Sequence, residues 1–185
     1  METELIIEGC DFPPLSARGC SQELTVVDQG TFRRSVNGSL VYMGPFEHKY
    51  KSIITCEDKV TLVNERVLSR GMEVRIGCLQ RLWQQGKPGL VTLERDAVAG
   101  SVAVIDAMQK PVNFVMIDTK TVQIISDPME SAFSRPAELN FSEPVFSNSS
   151  FISYRPWLLM RVISLKLHTN EWGLKAGWQL ELEEV

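Results

Sequence analysis

A chain of 185 residues with 19 Lys and Arg against 23 Asp and Glu carries a formal net charge of −4, which argues against a surface built to neutralise nucleic-acid phosphates. Its 44% hydrophobic and 23% charged content is that of an ordinary globular chain, long enough for one good core with a smaller appended lobe. No run approaches the roughly 20 apolar residues of a membrane span, and the acidic start from Met1 to Glu8 lacks the pattern of a signal peptide, so synthesis in a cytoplasm is expected.

Taken in chain order, the pattern is mostly β. Leu5 to Ile7 predicts an edge strand, stopped by Gly9 and by Pro13-Pro14, which cannot donate to a ladder. Glu23 to Asp28 predicts a second strand. Thr31 to Val36 and Ser39 to Met43 flank Asn37-Gly38, the dipeptide preferred in type I′ hairpin turns because both central residues need positive φ. Tyr50 to Cys56 and Gly71 to Leu79 predict two more strands. Between them, the apolar spacing from Val60 to Arg70 is compatible with a short helix or with a strand and loop.

The character shifts at Gln84. Gln85-Gly86-Lys87-Pro88-Gly89 and Phe141 to Ser150 are loop signals that bracket strand candidates at Leu90–Leu93, Val102–Ile105, Asn113–Asp118 and Thr121–Ile125. Asp118-Thr119-Lys120 predicts a tight hairpin between the last two. Residues 86–148 therefore read as an inserted β lobe or a set of assembly loops. They are set into a core domain made of residues 1–85 and 149–185.

The C-terminal segments carry the clearest pattern. A long apolar run from Ser150 to Leu167 is broken at His168-Thr169-Asn170-Glu171. Leu174, Ala176, Trp178, Leu180 and Leu182 then alternate with polar or small residues, the period-2 mark of a half-buried strand. Trp178 belongs to the apolar face of that strand. Trp172, beside the break, together with Tyr154 and Arg155, reads as a candidate interface, and a sugar-binding platform is the other reading of these crowded aromatics. The expected fold class is mainly β, an antiparallel β-sandwich or barrel-like domain with the inserted lobe or long loops.

A search for chemistry returns nothing organised. Cys10, Cys20, Cys56 and Cys78 form no C-x-x-C pair, and with only His48 and His168 to help, a metal site has no local knuckle. Free, mostly buried thiols are expected. Neither histidine lies in a G-x-S-x-G elbow or beside a cysteine signature, and there is no phosphate-binding glycine loop. The neighbouring carboxylates Glu57-Asp58 and Glu183-Glu184 point to opposite faces if they lie on strands. No catalytic residue, cofactor or metal is assigned, and the chain is expected not to be an enzyme.

Four segments together carry a resemblance: Arg33 to Val41, Lys49 to Cys56, Arg70 to Cys78, and Tyr154-Arg155-Pro156 running through Glu171-Trp172-Gly173 to Trp178-x-Leu180-x-Leu182-Glu183-Glu184-Val185. In their order the chain resembles a group of small virion structural proteins of tailed bacteriophages, over about half its length at the two ends. It departs from that group in the middle, where residues 57 to 69 lack a Pro-rich passage and residues 86–148 are longer. The resemblance implies the class of virion structural or tail proteins more firmly than a position in the particle; within that class the expected role is a tail component at the distal end or hub region, built into a symmetric ring. Its implied partners are copies of itself and other virion tail or connector proteins, with no nucleic acid and no membrane span, and its implied place is the virion after synthesis in the bacterial host cytoplasm. A head-to-tail connector or capsid decoration protein is the alternative in the same class. A carbohydrate-binding or receptor-binding accessory module and a small hydrolase are alternatives of other classes.

Overall fold

The computed structural model describes residues 3–10, 12, 16–27, 30–44, 48–58, 68–125, 150–169 and 176–185. Among them every regular element is a strand. In chain order they are β1 (Ile6–Ile7), β2 (Ser21–Val27), β3 (Thr31–Arg34), β4 (Leu40–Met43), β5 (Lys49–Asp58), β6 (Glu73–Gly77) and β7 (Leu82–Gly86). They continue as β8 (Gly89–Thr92), β9 (Ala103–Asp106), β10 (Phe114–Met116), β11 (Thr121–Ile124), β12 (Ser150–Tyr154), β13 (Trp157–Thr169) and β14 (Ala176–Glu184). The fold is mainly β, with several antiparallel sheets. The segment from Val60 to Val67, where helix and strand compete on pattern alone, lies outside the described residues.

The chain forms two compact units, one of Met1–Gln80 with Leu158–Val185 and one of Arg81–Trp157. These boundaries fall outside the 86–148 expected for the lobe, because β7 pairs along its whole length with β12, from Ser150↔Gly86 to Tyr154↔Leu82. The Gln85-Gly86 loop signal thus belongs to a strand, and the break comes at Lys87-Pro88. Gly86 is tolerated there because the backbone runs close to the core: a Cβ on it would stand 3.1 Å from the tips of Ile124 and Ile152.

The first unit is organised around a six-stranded sheet in the order β1-β6-β13-β14-β5-β2. β14 lies inside it, antiparallel to β13 on one side and β5 on the other, with Trp178 facing Leu167 and Cys56 across the two ladders. Its alternation does what period 2 dictates: Ala176, Trp178, Leu180 and Leu182 are all buried, the last three in one core with Ile54 and Cys56 of β5 and Leu158, Met160 and Val162 of β13. Val74 and Ile76 of β6 join the same core. The ladder slips between Val162 and Ser164, where Ile163 is an extra residue. Beyond this bulge β13 loses its strict alternation and its far end is exposed, as a bulge's local bend dictates.

Trp178 is completely buried. Its ring stacks on Phe12 with centroids 6.2 Å apart and planes 12° from parallel. Its indole N–H donates to the Ser16 carbonyl at 2.9 Å, so the one polar atom of the largest core side chain is satisfied. Next to it, Gly177 lacks a Cβ because the His168 ring occupies that space across the ladder.

The Asn37-Gly38 hairpin forms, with a different turn from the one expected. The Gly38 N–H donates to the Ser35 carbonyl at 2.9 Å and the Ser35 N–H to the Ser39 carbonyl at 2.8 Å, and only Gly38 takes positive φ, 81°. This is a three-residue loop closed by a glycine bulge, not a two-residue type I′ turn, because Asn37 keeps negative φ and the following glycine carries the left-handed residue. Among the described residues the β3–β4 ribbon pairs with no other strand.

The second unit contains two three-stranded sheets, β7-β12-β9 and β10-β11-β8. Val104 and Ile152 from the first meet Val122 and Ile124 from the second, with Leu93, Ala97 and Tyr154, in one core. Asp118-Thr119-Lys120 closes the β10–β11 hairpin, and the Lys120 N–H donates to the Asp118 carboxylate at 2.7 Å.

Truncating Trp178 to Ala is expected to cost about 3 to 5 kcal/mol of unfolding free energy, since it removes a fully buried ring and leaves the Ser16 carbonyl without its donor. Deleting residues 174–185 is expected to give insoluble or unfolded protein. Urea unfolding of the point variant and thermal melts of the truncation check both, and a truncated chain that melts cooperatively near the full-length temperature would show β14 to be dispensable.

Candidate functional site

The interface residues read from the sequence fall in three different situations. Trp172 lies outside the described residues. Tyr154, at the end of β12, is 1% exposed in the core of the second unit, where its hydroxyl accepts the Arg95 N–H at 3.3 Å. Arg155, 9% exposed, follows it inward, its N–H donating to the Ser101 hydroxyl. Both are therefore interior residues of this unit and not surface available to a neighbour. The reason is β12 itself: paired on both edges, with β7 and with β9, it is a central strand.

A buried polar network surrounds them. The Arg81 guanidinium donates to the Ser153 hydroxyl at 2.7 Å and to the Ser153 and Ser101 carbonyls, and the Ser101 hydroxyl donates to the Val98 carbonyl at 2.6 Å. These bonds tie three segments of chain together and leave no side chain poised as a nucleophile with a base.

The thiols do not supply one either. Cys56 is buried beside Cys20, and its thiol is within bonding distance of the Ser16 and Arg18 carbonyls. Burial pushes the Cys56 and Cys20 thiols up from their ordinary values, the opposite of what an activated nucleophile needs. Nearby, the Asp58 side chain is only 4% exposed and accepts from the Arg18 N–H and its guanidinium, both at 2.9 Å. That hydrogen bond raises the Arg18 pKa, and the pair fastens the loop of Ser16 to Gly19 to the end of β5. Among the described residues no group of three or more His, Cys, Asp and Glu side chains converges in a metal-binding arrangement.

Among the described residues the second unit has a cavity of about 350 Å³ lined by Ala97 to Gly100, Val102, Phe114, Met116, Asp118, Thr119 and Trp157. Backbone bonds make its walls stiff. The Ala97 N–H donates to the Thr119 carbonyl at 2.7 Å, the Trp157 N–H to the Asp96 carbonyl at 2.8 Å, and the Val98 N–H to the Arg155 carbonyl at 2.8 Å. The lining is apolar apart from the hairpin residues Asp118 and Thr119. The Lys120 N–H holds the Asp118 carboxyl below its ordinary pKa, so it carries a negative charge at neutral pH. With Asp118 the one carboxylate in an otherwise largely apolar lining, the cavity can bind an apolar group that carries a cation.

Sequence reasoning did not single out this cavity. Its walls come from Ala97–Val102, the β10–β11 hairpin and Trp157, segments distant in sequence; the hairpin was legible as a hairpin and Trp157 as part of an apolar run, but nothing in the sequence brings them together. Scans of the chain against protein-family models, characterised proteins and solved structures return no match.

In the folded protein, thiol reagents at pH 7.5 are expected to modify Cys56 far more slowly than free cysteine. Because folding raises this thiol's pKa above its ordinary 9.0, the stability it contributes is fully present below pH 9 and is lost as pH rises beyond it. Urea titrations from pH 8 to 10.5 on the wild type and on Cys56→Ala check the sign: the wild-type curve should fall more steeply above pH 9. Labelling of Cys56 at the rate of free cysteine would contradict the buried placement.

Proposed function

We propose that this chain is a virion structural protein of a tailed bacteriophage, a non-catalytic tail component at the distal end or hub region that assembles with copies of itself into a symmetric ring. The reading draws on the resemblance carried by the terminal segments. The structural observation that supports it best is the open edge of the six-stranded sheet. β2 ends the sheet, seven residues long and without proline, with Val26 about half exposed, and such an edge offers unpaired backbone groups to a strand from another chain. Closed rings arise when such heterologous contacts repeat around an axis.

In this reading residues 86–148 supply further intersubunit contacts. Their described strands, β8 and β10, flank β11 as sheet edges, with Leu90, Val115 and Ile117 exposed. The chain would be made in the host cytoplasm and end in the particle, joined to other tail or connector proteins.

Electron microscopy of the purified chain is expected to show rings of one symmetry order, and antibody labelling of particles should mark the distal end of the tail. Label at the head-to-tail junction or over the capsid would instead establish the connector or decoration role. Hydrogen exchange at residues 89–124 is expected to slow on assembly; equal protection in free and assembled chains would remove that region from the interface.

A further inference from the structure

The β3–β4 ribbon is the least covered part of the described molecule. All eight of its ladder residues are exposed, among them Phe32 at 62%, Leu40 at 59% and Met43 at 56%, and Val36 at its tip is fully in solvent. Among the described residues no third strand pairs with it, and an isolated two-stranded ribbon is marginal in water, so this much exposed apolar surface favours a further partner.

Its two faces differ. Directly paired residues share a face, which puts Phe32, Tyr42, Arg34 and Leu40 on one side and Thr31, Val41, Met43 and Arg33 on the other. The Phe32 and Tyr42 rings touch with centroids 5.2 Å apart. Tyr42 lies over Gly30 and Gly44, in the space that a Cβ on either would need, so these glycines let the ring lie flat at the base of the ribbon. One face thus presents an aromatic pair and a leucine beside a guanidinium. From Gly30 to Gly44 the ribbon carries Arg33 and Arg34 and no carboxylate, whereas the whole chain is net −4.

The cavity of the second unit has the complementary character: Phe114, Met116 and Trp157 form an apolar wall, and the negatively charged Asp118 stands in its lining. Aromatic rings packing against Phe, Met and Trp with a cation placed beside a lone carboxylate is a favourable combination of contacts.

We propose that the β3–β4 ribbon is an assembly arm whose Phe32, Tyr42 and Leu40 face docks into the Phe114, Met116 and Trp157 cavity of a second copy of this chain, with Arg34 set against Asp118 of that copy. This rests on the self-assembly reading above and adds the surfaces that meet. The contact joins different patches on the two copies, so it is heterologous and propagates from copy to copy, as a ring requires.

The test uses the full chain. Photoreactive p-benzoylphenylalanine in place of Phe32 is irradiated in an equal mixture of ¹⁴N- and ¹⁵N-labelled protein, and crosslinked peptides are mapped by mass spectrometry. Crosslinks joining opposite isotopes, from position 32 to residues 97–119 or Trp157, are expected. In sedimentation velocity, Phe32→Ser with Leu40→Ser is expected to weaken self-association by about thirty-fold or more. Arg34→Glu alone should weaken it about ten-fold, with recovery when Asp118→Arg is added in the same chain. Assembly with crosslinks elsewhere would overturn the arm-to-cavity contact and leave self-assembly standing. Crosslinks confined to a single isotope would overturn it by placing the arm on its own chain. A chain that stays monomeric at every concentration would overturn both readings, as would one that remains monomeric and uses the arm only to bind phosphatidylglycerol vesicles.

Discussion

The burial of Trp178 is the constraint on which the first unit depends. β14 is paired on both edges, so its position sets the register of β5 on one side and β13 on the other. The indole fills the space between those ladders and the segment around Phe12 and Ser16, and its N–H reaches a carbonyl 162 residues earlier in the chain. One side chain on the central strand therefore fastens the N-terminal segment to the sheet. The Cys56 thiol and the Arg18–Asp58 pair lie in the same neighbourhood, which makes this a region of dense and satisfied contacts with little freedom for chemistry.

Much of the β architecture was legible because half-buried strands write their environment into alternate residues. β14 shows this best, and the β10–β11 hairpin announces itself through Asp118-Thr119-Lys120. What stayed hidden depends on long-range pairing. β7 reads as loop because Gly86, Pro88 and Gly89 are turn residues by local rule, whereas Gly86 sits in a strand for want of room beside Ile124 and Ile152. Tyr154 and Arg155 read as interface candidates with Trp172 among the crowded C-terminal aromatics, and only the double pairing of β12 reveals that they lie inside. The bulge at Ile163 leaves no mark in the sequence beyond a lapse in alternation.

The site was less legible than the fold. A cavity walled by Ala, Val, Gly, Phe and Met offers no motif, and its single charge is a turn aspartate indistinguishable in sequence from any other. The ribbon was visible as a hairpin from its Asn-Gly, but its separation from the other described sheets was not. Apolar residues in a strand pattern ordinarily signal burial; here they mark surface. That inversion is informative, because exposed apolar strands are costly in a free monomer and become favourable once covered.

The order of strands along the chain has a consequence for synthesis. All six strands of the second unit's two sheets are encoded within one continuous stretch, so each of those sheets has its full set of strands as soon as β12 has emerged from the ribosome. The six-stranded sheet cannot close then. β5 emerges early but waits for β14, with Ile54 and Cys56 lacking their neighbours for the whole interval in which the second unit is being made. During translation the nascent chain thus holds a finished lobe beside an open, adhesive strand edge. Until β14 is made, that edge of β5 is exposed to pairing with other chains, so the central strand that completes the sheet is also the one whose late synthesis leaves it longest at risk.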